Sequence, residues 1–392
     1  MAWSRQRAIR GVAAALAIGG VTAAPGGAAG QPRAIAWRPA TASPQPAAAA
    51  AADAALLSRC GAADGALAEV ARQNVARQVG GQEILPSDEL VFTMRASGEP
   101  HAWPRAWSIT GAGLTDDDLA KRLGDWTAAW STLGVRRCGI ARGAKPDGSA
   151  VVSAIAIDAL ADLAPLPTTA RVGQWMKLEG TMLVAASEVK VVLLGPRGAP
   201  KAVLASLSQG KVRSTFSVDQ PGGWLVQVLA TVATGPRPVL EAMVFAGAAP
   251  PGQFVRPSAP GEASAKGAAD DADAVLRMMN AARASEGQPA LARDAALDRL
   301  ARAHAEAMIK ARMVGHDVGG GDPAARLAAA GYQARVAGEN VASSDTPENA
   351  HRAIWASPSH RGNLLLRDYR KAGVAAVRDA AGRVWVTELF AG

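Results

Sequence analysis

Two stretches rich in proline and alanine, residues 31–53 and 250–269, constrain this chain more than any other feature. Neither carries a periodic run of large apolar side chains, so neither can bury enough surface to offset its own chain entropy. They divide the 392 residues into a leader and separate folding blocks. The material between them can fold. The chain is 49% hydrophobic and 19% charged, which excludes a wholly disordered protein. No repeat of about 20–50 residues runs along it, which excludes a solenoid.

The leader reads as a targeting segment. Arg5, Arg7 and Arg10 precede an apolar run over residues 11–24, followed by small residues and Pro25. That is the order of a secretory signal peptide, with cleavage expected after Ala23 or Ala29. The run is shorter than the roughly 20 residues a membrane-spanning helix needs; the alternative is an uncleaved anchor. The expected boundaries are a signal peptide over 1–29 and a flexible linker over 30–53. Export also gives meaning to the two cysteines. Cys60 and Cys138 form an even pair, outside any CxxC spacing, and are expected to be disulfide-bonded in an oxidising compartment. Two buried free thiols are the alternative.

The net charge is +8, from 42 basic and 34 acidic residues. The excess is not gathered on a folded block. Residues 1–53 hold Arg5, Arg7, Arg10, Arg33 and Arg38 against Asp53 alone, whereas residues 270–392 hold 16 basic and 15 acidic side chains. A nucleic-acid partner is therefore not expected.

The first block, residues 54–165, is expected to be an α/β domain. One helix runs near 64–79 with Leu67, Val70, Ala71 and Val75 on one side. A second begins at Thr115, whose hydroxyl can cap the amide of Asp118. Trp126 and Trp130, four apart, belong to a core face, and His101 is read as structural. The second block, residues 166–248, changes period. Val212, Ser214, Phe216 and Val218 alternate, as do Trp224, Val226, Val228, Ala230 and Val232, between glycine-proline turns. That pattern predicts a small β-sandwich. A second linker follows over 249–269.

The third block, residues 270–392, holds four of the five histidines. Asp294 starts a helix with Leu297, Leu300, Ala301, His304 and Met308 on its apolar face. Asp322-Pro323, Thr346-Pro347 and Ser357-Pro358 each read as an N-cap followed by proline at the first helical position. Two strands around Gly382 end the chain. His316, Glu339 and His360 fall in loops or at element ends, where functional side chains concentrate. Two imidazoles and a carboxylate can hold a divalent metal such as zinc and leave a position for water. Without metal the same trio can move protons. His304 is read as a core histidine, and His351 as stacking with Trp355.

Several motifs in order carry a resemblance: Asn280-Ala281-Ala282-Arg283, Gly315-His316, Gly338-Glu339-Asn340-Val341-Ala342, Trp355-Ala356-Ser357-Pro358-Ser359-His360-Arg361 and Asn363-Leu364-Leu365. Over about 120 residues the block resembles the CAP superfamily of cysteine-rich secretory, antigen-five and pathogenesis-related proteins, in its cysteine-poor bacterial branch. The resemblance implies an α/β/α sandwich with a central cleft that can bind divalent metal, and it matches His316, Glu339 and His360 to three of four cavity residues. Met279 stands where animal members have a histidine. The fourth cavity residue, a glutamate after the tryptophan, has no clear counterpart; water, Ser357 or Glu348 are the candidates to complete the site. A fainter echo, Gly134-Val135 set against Gly373-Val374, suggests that the first block is a degenerate copy of the third.

The overall expectation is a multidomain secreted protein, extracellular or periplasmic and without a transmembrane segment after signal cleavage. Its parts are a C-terminal α/β/α CAP sandwich, a central small β-sandwich and an N-terminal α/β domain. Its cleft is expected to bind a lipid, sterol or envelope glycan, with a divalent metal as the candidate cofactor. The alternatives are a metal-dependent hydrolase or peptidase, with His316 and His360 as ligands and Glu339 as a third ligand or the catalytic base, and an adhesive protein that contacts an envelope partner. A serine hydrolase using Ser357 or Ser359 with His360 is the weakest reading, because no nucleophile elbow is present.

Overall fold

Asp64 and Asp294 do the same thing 230 residues apart. Each extended aspartate follows a two-residue strand, and its Oδ1 accepts two amides of the next helix (Ala66 and Leu67; Ala296 and Leu297). They belong to two units of one topology, seen in a computed structural model that describes residues 35–42 and 51–392. The expected signal peptide lies outside those residues.

The first unit runs α1 (Ala51–Cys60), β1 (Ala62–Ala63), α2 (Gly65–Val79), α3 (Ser87–Ala96), β2 (Arg105–Gly111), α4 (Asp116–Ala128), β3 (Val135–Ala144) and β4 (Ala150–Ala159). Its sheet order is β1-β3-β4-β2, with β1 parallel to β3 and the other pairs antiparallel. Thr115 caps α4 through a capping box with Asp118. Leu67, Val70 and Ala71 of α2 cover one face of the sheet, and Leu56, Leu119 and Leu123 of α1 and α4 cover the other. Cys60 and Cys138 are disulfide-bonded, which ties α1 to β3.

The middle of the chain folds as two sheets over one core. Its strands are β5 (Ala161–Leu163), β6 (Thr169–Ala170), β7 (Trp175–Met182), β8 (Glu188–Leu194), β9 (Lys201–Val203), β10 (Ala205–Ser208), β11 (Lys211–Ser217), β12 (Gly222–Val232) and β13 (Gly235–Ala246). The orders are β10-β11-β7-β5 and β6-β13-β12-β8-β9. Alternation puts Met176, Leu178, Val212 and Phe216 of the first sheet against Trp224, Val226 and Val228 of the second. β5 joins this layer, although its residues were assigned to the first block.

The third unit runs α5 (Asp271–Ser285), β14 (Ala292–Arg293), α6 (Ala295–Ala311), α7 (Pro323–Ala329), β15 (Ala337–Ser344), α8 (Pro347–Ala356), α9 (Pro358–Leu365), β16 (Lys371–Arg378) and β17 (Val384–Ala391). Its sheet order, β14-β16-β17-β15, repeats that of the first unit strand for strand, including the parallel first pair. Leu297, Ala301, Ala305 and Met308 of α6 pack on one face. Val275, Met279, Ala350, Ile354 and Leu364 of α5, α8 and α9 pack on the other, which makes three layers. Met279, where animal relatives have a histidine, is a core residue.

The two units also share devices finer than topology. A Cβ on Gly139 would strike the Leu67–Ala68 backbone, and one on Gly373 would strike Leu297–Asp298, so each glycine lets its helix lie directly on the sheet. The C-terminal turns of α3 and α7 carry matching amide bonds, Glu99 to Met94 and Tyr332 to Leu327 among them. The pairings of β1 with β3 and of β14 with β16 put Gly139, not Gly134, in the position of Gly373, five residues from the register expected above.

Three other expectations change. Residues 35–42, expected to be spacer, lie between the first unit and the sandwich: the Arg38 and Thr41 amides bond to Ala96 and Gly98, while Ala40 pairs with Leu166. Within 249–269, also expected to be linker, Ala259 is buried in the third unit's core, and Glu262 takes two bonds from Arg352. Ser357 starts α9 without a side-chain cap; its hydroxyl faces that of Ser359.

Candidate functional site

Glu339 is the centre of the candidate site. It lies on β15, pointing toward α6 and α7, and its side chain is fully buried. A bare buried carboxylate is costly, and here both oxygens have partners. Oε2 accepts a charge-assisted bond from Arg326 at 2.6 Å, and Oε1 is 3.0 Å from His316 Nδ1. His304 Nε2 lies 3.6 Å from the same Oε1 and bonds to the Gly315 carbonyl at 2.9 Å. His304, read as a core histidine, is therefore at the edge of the site. Burial holds its imidazole below the ordinary value, partly opposed by the Glu339 charge.

Local chemistry shapes the loop that presents His316. α6 ends on Arg312 in a left-handed conformation, φ 53°, which turns the chain sharply. Asp317 then accepts amides from Gly319 and Gly321, folding the glycine run back toward α7. Arg326, three residues inside α7, bonds to the carbonyls of Gly321 and His316 as well as to Glu339. One guanidinium thus holds both the loop and the acid. The His316 side chain stays half exposed, and Met313 and Val314, two and three residues before it, are exposed too.

His360 sits in the first turn of α9. Burial, with a smaller contribution from nearby His316, lowers its ring to about 4, so it is neutral at physiological pH. Beneath it, Asn340 bonds to the His360 carbonyl and to Glu388, and Asn363 bonds to the Glu339 carbonyl and to Asn340. Burial pushes the Glu388 carboxyl up to about 7.

The structure brings His316 and Glu339 together, with His360 within electrostatic reach of His316. Arg326 and His304 complete the group and were missed. Arg326 had one legible signal, its place one turn after the Asp322-Pro323 cap, but nothing local pointed it at residue 339. His351 bonds to the Pro260 carbonyl, and the Trp355 ring carries the Arg361 guanidinium at 4.2 Å. Neither Ser357 nor Glu348 has a bond to Glu339. Among the described residues, no group of three His, Cys, Asp or Glu side chains is arranged to hold a metal ion, and no helix is long and apolar enough to cross a membrane.

Residues 276–390 match the model of the cysteine-rich secretory protein family, CAP. No curated protein matches the chain. Among solved structures, an outer surface protein of Borrelia burgdorferi is 21% identical over 31% of this chain and 91% of its own, with a TM-score of 0.30. An extracellular SCP-domain protein of Bacillus anthracis is 18% identical, over 55% of this chain and 81% of its own, at 0.29. A cysteine-rich secretory protein of Staphylococcus aureus is 11% identical, over 60% and 82%, at 0.27. The C-terminal unit of this chain belongs to the CAP, or cysteine-rich secretory protein, family.

Proposed function

We propose that this is an exported bacterial protein whose CAP cleft binds a ligand with both polar and apolar parts, such as a lipid, a sterol or an envelope glycan. The observation that carries this reading is the pairing of Arg326 with Glu339. The acid is already satisfied by a guanidinium and an imidazole, which makes a fixed array of polar groups, with Met313 and Val314 exposed on the loop that carries His316. Such an array suits recognition, which depends on a few placed polar groups in a mostly apolar hollow.

The same observation weighs against the metal-dependent hydrolase. A divalent cation at Glu339 would have to displace or sit beside the Arg326 charge, and His316 Nδ1 is already committed to Oε1. The donor set does not fit a metal as it stands. Ser357 Oγ faces Ser359 Oγ at 3.3 Å, which gives no support to a serine nucleophile.

The first unit is read as a copy of the CAP unit without a cleft. Register places Ala106 where Glu339 stands, each opposite the middle-strand residue that faces Gly139 or Gly373. The matching turns place Thr93 at Arg326, and the caps place Asn74 at His304. The two histidine-bearing insertions are also shorter: residues 80–86 replace 312–322, and 129–134 replace 357–370 with its helix.

The test is binding to the purified mature protein. Labelled fatty acid, labelled sterol and peptidoglycan fragments are titrated into wild type, Glu339→Gln and His316→Ala, alongside zinc. Binding of one of the organic probes, weakened at least tenfold by either change, is expected. Stoichiometric zinc in wild type, lost in His316→Ala, together with no organic ligand, would replace this reading with the metal site.

A further inference from the structure

We infer that the sandwich loop 195–200, between β8 and β9, is a positioning clamp on the CAP cleft, acting through Arg361 on the helix that carries His360. The inference rests on the reading of the cleft as a binding site. It goes beyond that reading in giving the middle block a task and the cleft a second source of order.

Helix α9 has no counterpart in the first unit. Leu364 and Leu365 seat its C-terminal half in the CAP core, and Arg283 donates to the Leu364 carbonyl at 2.6 Å, so what remains to be held is its first turn, where Asn340 donates to the His360 carbonyl at 3.1 Å. The helix is short, and its N-cap serine makes no capping bond. A single turn or two with an unsatisfied start is weakly held by its own backbone. Yet it must present His360 and Asn363 at the cleft. A further tether, on that first turn, is Arg361, next in sequence to His360 and 5% exposed. The guanidinium stacks on Trp355 at 4.2 Å, and Nε donates to the Trp355 carbonyl at 2.6 Å. NH1 crosses to the other block and donates to the carbonyl of Gly195 at 2.9 Å.

Two further observations show that the loop is seated on the CAP unit and does not merely pass it. The Gly198 amide donates to Glu286 Oε2, at the C-cap of α5, at 3.0 Å. Pro200 stands 3.4 Å from where a Cβ of Gly362 would be, so the α9 backbone lies against the proline ring. The loop is stiff from its own side. Gly195 is pressed against the ring of Trp224, which is 1% exposed, and a Cβ there would come within 2.8 Å of it. The path is continuous: sandwich core, Gly195 carbonyl, Arg361, first turn of α9, His360. Burial lowers Arg361 to about 10, the cost of desolvating a guanidinium that receives main-chain carbonyls in place of water.

The experiment uses the full mature chain and two changes on opposite sides of the contact. Arg361→Lys cannot span both carbonyls with a single ammonium. Gly195→Ala touches no atom of the CAP unit but shifts the loop off Trp224. Amide exchange of α9 and the ring signals of His360 are read by NMR without ligand, with α6 and β17 as internal references. Both variants are expected to speed α9 exchange at least tenfold relative to those references and to move the His360 signals. The double variant should be no worse than the stronger single one. If Gly195→Ala does not fold, Pro200→Ala, which removes the ring lying against Gly362, gives the loop-side reading. A response to Arg361→Lys alone, with α9 unmoved by the loop changes, would overturn the clamp and leave Arg361 serving its own unit. Loosened α9 with unaltered binding of the organic probe would instead count against the cleft reading and leave the clamp standing.

Discussion

Glu388 sits in the middle of β17, fully buried, with Asn340 donating to Oε2 at 2.9 Å and no partner on Oε1. Burial raises its carboxyl from the ordinary 4.5 to about 7. Below pH 4.5 the group is protonated in the folded and the unfolded chain alike. Between 4.5 and 7 the unfolded chain releases the proton and the folded chain keeps it, so stability falls as pH rises through this window. At about 1.4 kcal/mol per pH unit of separation, the loss approaches roughly 3 kcal/mol by pH 8. Glu388→Gln keeps the shape and an oxygen for Asn340 but has no proton to lose. His360 runs the other way: its folded value near 4, against 6.5, makes stability fall as pH drops from 6.5 to 4. The wild-type profile alone is therefore flattened, and the informative quantity is the difference between wild type and variant. Urea melts from pH 4 to 8.5 should show Glu388→Gln gaining about 3 kcal/mol on wild type across the range. A difference independent of pH would refute the reasoning, because it would mean that Glu388 titrates in the folded protein as it does in water.

Two further outcomes are expected. Replacing Cys60 and Cys138 by serine opens a loop with a sequence separation of 78; the chain-entropy model puts the loss at roughly 4–5 kcal/mol, read as a lower denaturant midpoint, and a loss below about 1 kcal/mol would contradict it. In the first unit, Thr93→Arg or Ala106→Glu alone should cost about 3–5 kcal/mol, as an unpaired charge beside a buried face. The pair should recover at least half of that if these positions reproduce Arg326 and Glu339; strictly additive losses in melting experiments would sink the equivalence.

The sequence by itself determined what short-range chemistry decides. Asp64, Thr115, Asp294, Asp322 and Thr346 are side chains that bond to amides two or three residues on, so the residue type and its neighbours suffice. The alternating strands of the sandwich were legible for the same reason; the cysteine pair, 78 residues apart, was legible from number and compartment instead, since there are only two to pair. His316 and Glu339 stood out because they lie in recognisable runs. Ser357 shows the margin: the motif was right for a helix start, yet its hydroxyl found Ser359 instead. Only the tertiary structure decided the pairings that depend on register and on packing between distant segments. Arg326 meets Glu339 because α7 is docked against β15, and His304 reaches the acid because Gly373 lets α6 lie flat on the sheet. The segments 35–42 and 259–265 looked like spacer because their composition lacks a periodic core face. They are ordered by carbonyls, amides and one arginine belonging to other parts of the chain. The likeness of the two units has the same origin: it rests on strand order, helix caps and one glycine contact, and the order and the contact are made only in three dimensions.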